Sequence, residues 1–158
     1  LTVGSVGRRP PGVSAAATCR CAARTPAPGP ATTAGPVCRV TLTGTKPGKN
    51  ADFIRFRREH NKPIFDEQIK QGLIVSYKYY SKPINLGPDD WDIALVVCFK
   101  NYADAIDANA EREEKLNQIS LKHFGSVDAR TKAMNSLNDL RDVVSSTLIR
   151  EQILNPIP

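Results

Sequence analysis

An α+β fold, one antiparallel sheet carrying helices on a single face, is the class this sequence predicts. Three observations predict it. Four runs of β-forming residues lie around 39–43, 73–82, 91–100 and 144–154. Between the first and second runs, and between the third and fourth, apolar residues recur at helical spacing. Clusters of Gly, Pro, Asn and Asp separate the segments.

The chain's 158 residues suffice for one domain and are too few for two well-cored ones. Its net charge of +6 is unevenly placed. Residues 1–50 hold seven basic side chains and no acid, whereas residues 51–158 hold 15 basic and 16 acidic ones. The folding part is thus electrically balanced, and it lacks the concentrated basic face that tracks phosphates, so no nucleic-acid partner is expected. No span approaches the roughly 18 apolar residues of a membrane helix.

Residues 1–37 are rich in Ala, Pro, Gly, Thr and Arg, without acid, lysine or aromatic. They read as a disordered arm, because too little apolar surface is present to offset ordering entropy and the prolines disfavour regular pairing. The arm is read alternatively as a remnant of an export signal or as non-native sequence. The compartment follows that choice: periplasmic or secreted if the arm stands in for an export signal, cytoplasmic otherwise.

The domain is expected from Cys38 to Pro158. Arg39–Thr43 alternates and is β-branched, which predicts a strand. Gly44–Gly48 is a turn. Asn50 is placed to cap a helix on which Phe53, Phe56, His60 and Ile64 share a face. Pro63 interrupts that helix, either as a kink or as the first turn of a segment capped by Asn61, and Gly72 stops it. Leu73–Lys82 forms the second strand and Trp91–Lys100 the third, joined by a loop at Gly87-Pro88. Asn101 caps the next helix, Gly125 ends it, and Ser126 or Asp128 starts another through about Asp142. Residues 144–154 close the sheet.

This β-α-β-β-α-α-β order is the split-βαβ, ferredoxin-like arrangement. Within it the third strand is apolar on both sides. Trp91, Ile93, Leu95, Val97 and Phe99 point one way; Ala94, Val96 and Cys98 point the other. Helices cover only one face, and bare apolar surface forgoes roughly 25 cal/mol per Å². The same face of a second subunit is therefore the expected cover, giving a homodimer. The alternative is cover by residues 143–158 or by loops.

Candidate chemistry is sparse. His60, on the Phe56/Ile64 face, is aimed at the sheet, where a neutral imidazole can serve as general base or as a haem ligand; the structural reading is a helix histidine bonded to backbone. Tyr77 and Tyr79 share a strand face and suit an apolar or aromatic ligand, or simple cross-strand packing. Trp91 follows Asp89 and Asp90, a run without the spacing of a calcium loop. Arg57 can hold a carboxylate or can be part of a mixed-charge helix surface. Cys19-x-Cys21 lacks zinc-knuckle spacing, so no metal is expected. Cys38 and Cys98 fall in candidate strands, and whether they pair is left open. No nucleotide or cofactor motif occurs, and no cofactor is expected.

Five segments carry a resemblance: Thr45-Lys-Pro-Gly-Lys49, Arg58-Glu-His-Asn-Lys-Pro63, Gly72-Leu-Ile-Val-Ser-Tyr77, Gly87-Pro-Asp-Asp-Trp-Asp92 and Val96-Val-Cys-Phe-Lys-Asn101. Through them the chain resembles the dimeric α/β-barrel superfamily over about residues 38–156, nearest to uncharacterised exported bacterial members. The resemblance implies ferredoxin-like sheets joined in a homodimer, and it leaves the reaction open. Two functions are expected to compete. One is a small-molecule-binding domain with a pocket between the first helix and the sheet, lined by His60, Tyr77, Tyr79, Trp91 and Arg57; its enzyme form is a cofactor-independent oxygenase or isomerase using His60 as proton acceptor. The other is a non-catalytic interaction protein acting as a homodimer.

Overall fold

Four strands pair in the order β2-β3-β1-β4, every neighbouring pair antiparallel. They are β1 (Thr32–Thr45), β2 (Ser76–Ser81), β3 (Ile93–Phe99) and β4 (Arg141–Leu154). The computed structural model describes residues 30–84, 87 and 90–157. Between β1 and β2 run α1 (Asn50–Phe56), a π-helical turn (Arg57–Asn61) and α2 (Lys62–Lys70); between β3 and β4 run α3 (Tyr102–Ile106), α4 (Ala110–Phe124) and α5 (Val127–Leu140). The expected ferredoxin-like α+β fold is what this topology is. No helix among the described residues is long and apolar enough to cross a membrane.

The two faces of the sheet differ sharply. On one, Val37, Phe99, Tyr77, Val97 and Leu148 meet Phe65, Ile74 and Ala105, and Ile93 and Tyr79 meet Phe53, Phe56, Ala133, Leu137 and Leu140. Val37 and Phe53 are essentially sealed, at 0% and 1% exposure. On the other face β1 and β3 place Cys38 opposite Cys98, Val40 opposite Val96 and Leu42 opposite Ala94. None of these six joins either core cluster. The doubly apolar third strand is therefore real, and the helices pack on one side of it. Cys38 and Cys98, directly opposed, form a disulfide.

Several expected boundaries need correction. The first strand begins at Thr32 rather than near Cys38, so residues 32–37 belong to the sheet and not to the arm. Pro36 lacks an N–H, but a bulge between Ala34 and Val37 takes Gly35 and Pro36 out of the ladder, which lets the strand pass through. The rest of the expected arm, residues 1–29, lies outside the described residues. The expected helix after Asn101 is two helices, broken at Asp107–Asn109. Asn101 does cap α3, accepting from Asp104 N at 2.9 Å, and Asn109 caps α4 afresh, accepting from Arg112 N at 3.0 Å. Ser126 caps α5 as expected, and that helix passes directly into β4 at Arg141. Gly72 and Gly125 close their helices at φ of +69° and +81°. Asn50 and Asn61 cap nothing: α1 begins without a side-chain cap, and the chain stays helical through Asn61.

The bulge also fixes the residue at its centre. A Cβ at Gly35 would lie 2.8 Å from Glu151 Cβ on β4, an atom that moves only with its backbone. Gly35→Ala is expected to destabilise the fold by about 1–3 kcal/mol, as read from chemical denaturation.

Candidate ligand-binding site

Pro63 determines how the first helical region meets the sheet. It cannot donate to the carbonyl four residues upstream, and the chain absorbs this by widening into the π turn just before it. The wide turn adds a residue to the helical circuit, so side chains beyond Phe56 are rotated away from the directions regular spacing predicts.

Arg57 opens the π turn. Its guanidinium carbon lies 4.0 Å from the ring centre of Phe53 and 4.2 Å from that of Tyr79, between two aromatic faces. The residue is only 8% exposed, and its Nε has no hydrogen-bond partner. Burial pushes its pKa down to about 10, which leaves it a cation at neutral pH.

Next to it an open cleft of about 320 Å³ lies between the helical region and strand β2. Ile54, Arg57, Arg58, Tyr77, Tyr79 and Ile93 are among its lining residues. Tyr77 donates to Asp66 Oδ1 at 2.8 Å, and its ring packs on Phe65 at 5.0 Å. Burial first, and then the bond to Asp66, push its hydroxyl up to about 12. The Tyr79 hydroxyl accepts from Asn61 Nδ2 at 3.3 Å, and burial raises its pKa as well. Both tyrosines are therefore neutral hydroxyls across the physiological range. Three of the five expected site residues, Arg57, Tyr77 and Tyr79, come together here.

The other two do not. His60 faces α4: its Nδ1 lies 3.0 Å from Nε2 of His123, one ring donating and the other accepting, and its ring packs against Phe56 and Phe124. The π turn is the reason, since it turns residue 60 off the sheet-facing stripe. Trp91 stands at the entry to β3, where Lys82 Nζ lies 5.2 Å from its ring centre. Lys82 in turn pairs with Asp90, so this tryptophan anchors a loop.

The histidine pair has a pH signature. Burial, and secondarily His60, lower the pKa of His123 below its ordinary 6.5. The folded state thus binds a proton less readily than the unfolded chain, and stability present at neutral pH is lost as pH falls through and below 6.5. The melting temperature is expected to drop between pH 7.5 and 5, and His123→Gln to flatten that dependence. A profile unchanged by the substitution would refute it.

Arg141 escaped sequence reasoning altogether. It opens β4 opposite Thr45, and its Nε is buried without a partner. Nothing local marks a residue at a helix–strand junction as buried; only the pairing of segments some hundred positions apart does so. Asp66, Asn61 and His123 were missed as partners because their contacts cross from one element to another.

A scan against protein-family models finds no match, and no curated protein matches the chain. Among solved structures, the chain is similar to a dimeric protein of unknown function and ferredoxin-like fold from Bacteroides fragilis, at 16% identity and TM-score 0.40, over 75% of this chain and 97% of that one. It is also similar to a dimeric ferredoxin-like protein from an uncultured marine organism, at 10% identity and TM-score 0.44, over 80% and 93%. Neither likeness bears on activity.

Proposed function

We propose that the chain is a small-molecule-binding domain that works as a homodimer, its ligand lying in the cleft between the first helical region and β2. The observation that carries the reading is the cleft itself. It is walled by Tyr77, Tyr79, Ile54 and Ile93, and its tyrosine hydroxyls are already oriented by Asp66 and Asn61. Apolar walls with a few fixed polar groups are the usual make-up of a small-ligand site. Binding is the function proposed. The catalytic version needs a proton acceptor in the cleft, and His60 is engaged with His123 instead.

The dimer is supported by the second face of the sheet, where Val40, Leu42 and Val96 are half-buried outside both cores. Burying that face against its own copy is an isologous contact, which closes after two subunits. The competing reading, an interaction protein whose functional unit is the dimer alone, rests on this face without the cleft.

Amide and side-chain NMR with small aromatic probes, charged and neutral, separates the two. Saturable shifts are expected at residues 54–62 and 77–81. If no probe produces them, the binding reading fails and the dimer reading is left. Light scattering at tens of micromolar should give twice the chain mass, and Val96→Asp should halve it. A wild-type monomer at that concentration would sink the dimer.

A further inference from the structure

Four arginines that pack against the interior of this fold are of two kinds. Arg39 and Arg112, both close to the Phe99 ring, are given acceptors: Arg39 donates to the carbonyl of Ala105 at 2.7 Å and Arg112 to that of Leu73 at 2.6 Å. Arg112 also pairs with Asp104 at 3.6 Å. Arg57 and Arg141 are given none. Among the described residues neither has an ion pair or a side-chain hydrogen bond, and the Nε of each is buried and unpartnered.

Both interact electrostatically with Tyr79, and the positive charge of Arg141 acts to lower the pKa of Arg57. The carboxylate that reaches Arg57 electrostatically, Asp92, is taken: it accepts from Thr45 N at 3.1 Å and from the Thr45 hydroxyl. A third unsatisfied atom, Thr43 Oγ1, lies on the same end and face of the sheet, two residues from the Thr45 that pairs with Arg141.

The cleft in front of Arg57 is also one-signed. Among the described residues its charged lining is Arg57, Arg58 and Lys62, without a carboxylate. Lys62 is engaged by Asp66 at 2.6 Å, whereas Arg58 has no ion pair among the described residues. The terminal nitrogens of Arg57 make no hydrogen bond among the described residues, and such a pair receives a carboxylate through parallel hydrogen bonds. Unpaired buried charge is costly to the fold, and an anion from outside is what removes that cost.

We propose that the ligand of this cleft is a small aromatic or apolar carboxylate. Its carboxylate is received by the free edge of Arg57, its apolar body lies against Tyr77, Tyr79 and Ile54, and Arg141 supplies a second positive charge from behind. This deepens the binding reading above and rests on it.

Benzoate and phenylacetate, each against its neutral amide, are the probes, titrated at pH 7 into the full chain with the arginine Nε–H signals observed by NMR. The carboxylates are expected to bind at least about tenfold more tightly than the amides, and the Arg57 Nε–H resonance to shift with the carboxylates alone. Arg57→Gln should erase the preference, and Arg141→Met should reduce it while the apolar contacts remain. The comparison of wild-type ligands needs no variant, so a misfolded Arg57→Gln does not remove the test. Equal binding of acid and amide at the cleft overturns the carboxylate assignment and leaves the binding reading standing. Tighter binding of inorganic phosphate than of benzoate overturns the aromatic class. Absence of saturable binding by any of these probes overturns both.

Discussion

Removing the Cys38–Cys98 disulfide will lower the unfolding free energy by about 4 kcal/mol. The bond joins two directly opposed residues of adjacent strands, and 60 positions of sequence separate them. The loop it closes contains α1, the π turn, α2 and β2, which is half of the split-βαβ arrangement. In the chain-entropy account a loop of that length restricts the unfolded ensemble strongly while leaving the strand pairing untouched. The double substitution Cys38→Ser/Cys98→Ser isolates this bond from Cys19 and Cys21, and its urea midpoint should fall by about 2 M for a chain of this size. The two single variants should each cost at least as much, because each leaves an unpaired thiol. A double variant within about 1 kcal/mol of wild type would contradict the cross-link.

Phe53→Ala should cost about 3–5 kcal/mol. Phe53 is the most deeply buried aromatic, at 1% exposure, and it packs with Phe56, Ile93 and Leu137 where α1, α5 and β3 converge. It also supplies one of the two faces that hold the Arg57 guanidinium. Truncation therefore opens a cavity and frees a buried cation at once. Phe53→Leu keeps most of the volume and removes the ring, so the difference between the two variants measures packing, and the residual loss in Phe53→Leu includes the cation–π contact, of order 1 kcal/mol. Equilibrium denaturation of the pair reads both. Equal costs for the two would show that volume is not what Phe53 contributes.

Much of the fold was legible because it rests on short-range physics. The apolar, β-forming run Ile93–Phe99, the caps at Asn101 and Ser126, and the left-handed turns at Gly72 and Gly125 are all decided within a few residues of where they occur. Legibility stopped where a local rule met a distant partner. Pro36 argued against sheet pairing, yet β4 offers a partner strand that tolerates a bulge there. His60 sat on the correct face by regular spacing, and the π turn before Pro63 turned it to His123.

The candidate site divides in the same way. Tyr77 and Tyr79 share a strand face by simple alternation, and Arg57 lies within reach on the preceding helix, so these three were found by residue type and spacing. Their environment was not. Whether a guanidinium is solvated on a helix surface or sealed between Phe53 and Tyr79 depends on how closely the helix packs on the sheet, and that spacing is set by the cores.

By itself, then, the sequence determined the order of the strands and helical regions, the caps at Asn101 and Ser126, the stops at Gly72 and Gly125, and the existence of one strand apolar on both sides. The tertiary structure alone decided that Cys38 meets Cys98, that His60 turns away from the sheet, and that the Nε atoms of Arg57 and Arg141 are buried without partners. The physical reason is range. Backbone conformation and capping are settled by neighbours in the chain, whereas burial, pairing and desolvation are settled by residues that can lie more than a hundred positions apart and that only the packed fold brings together.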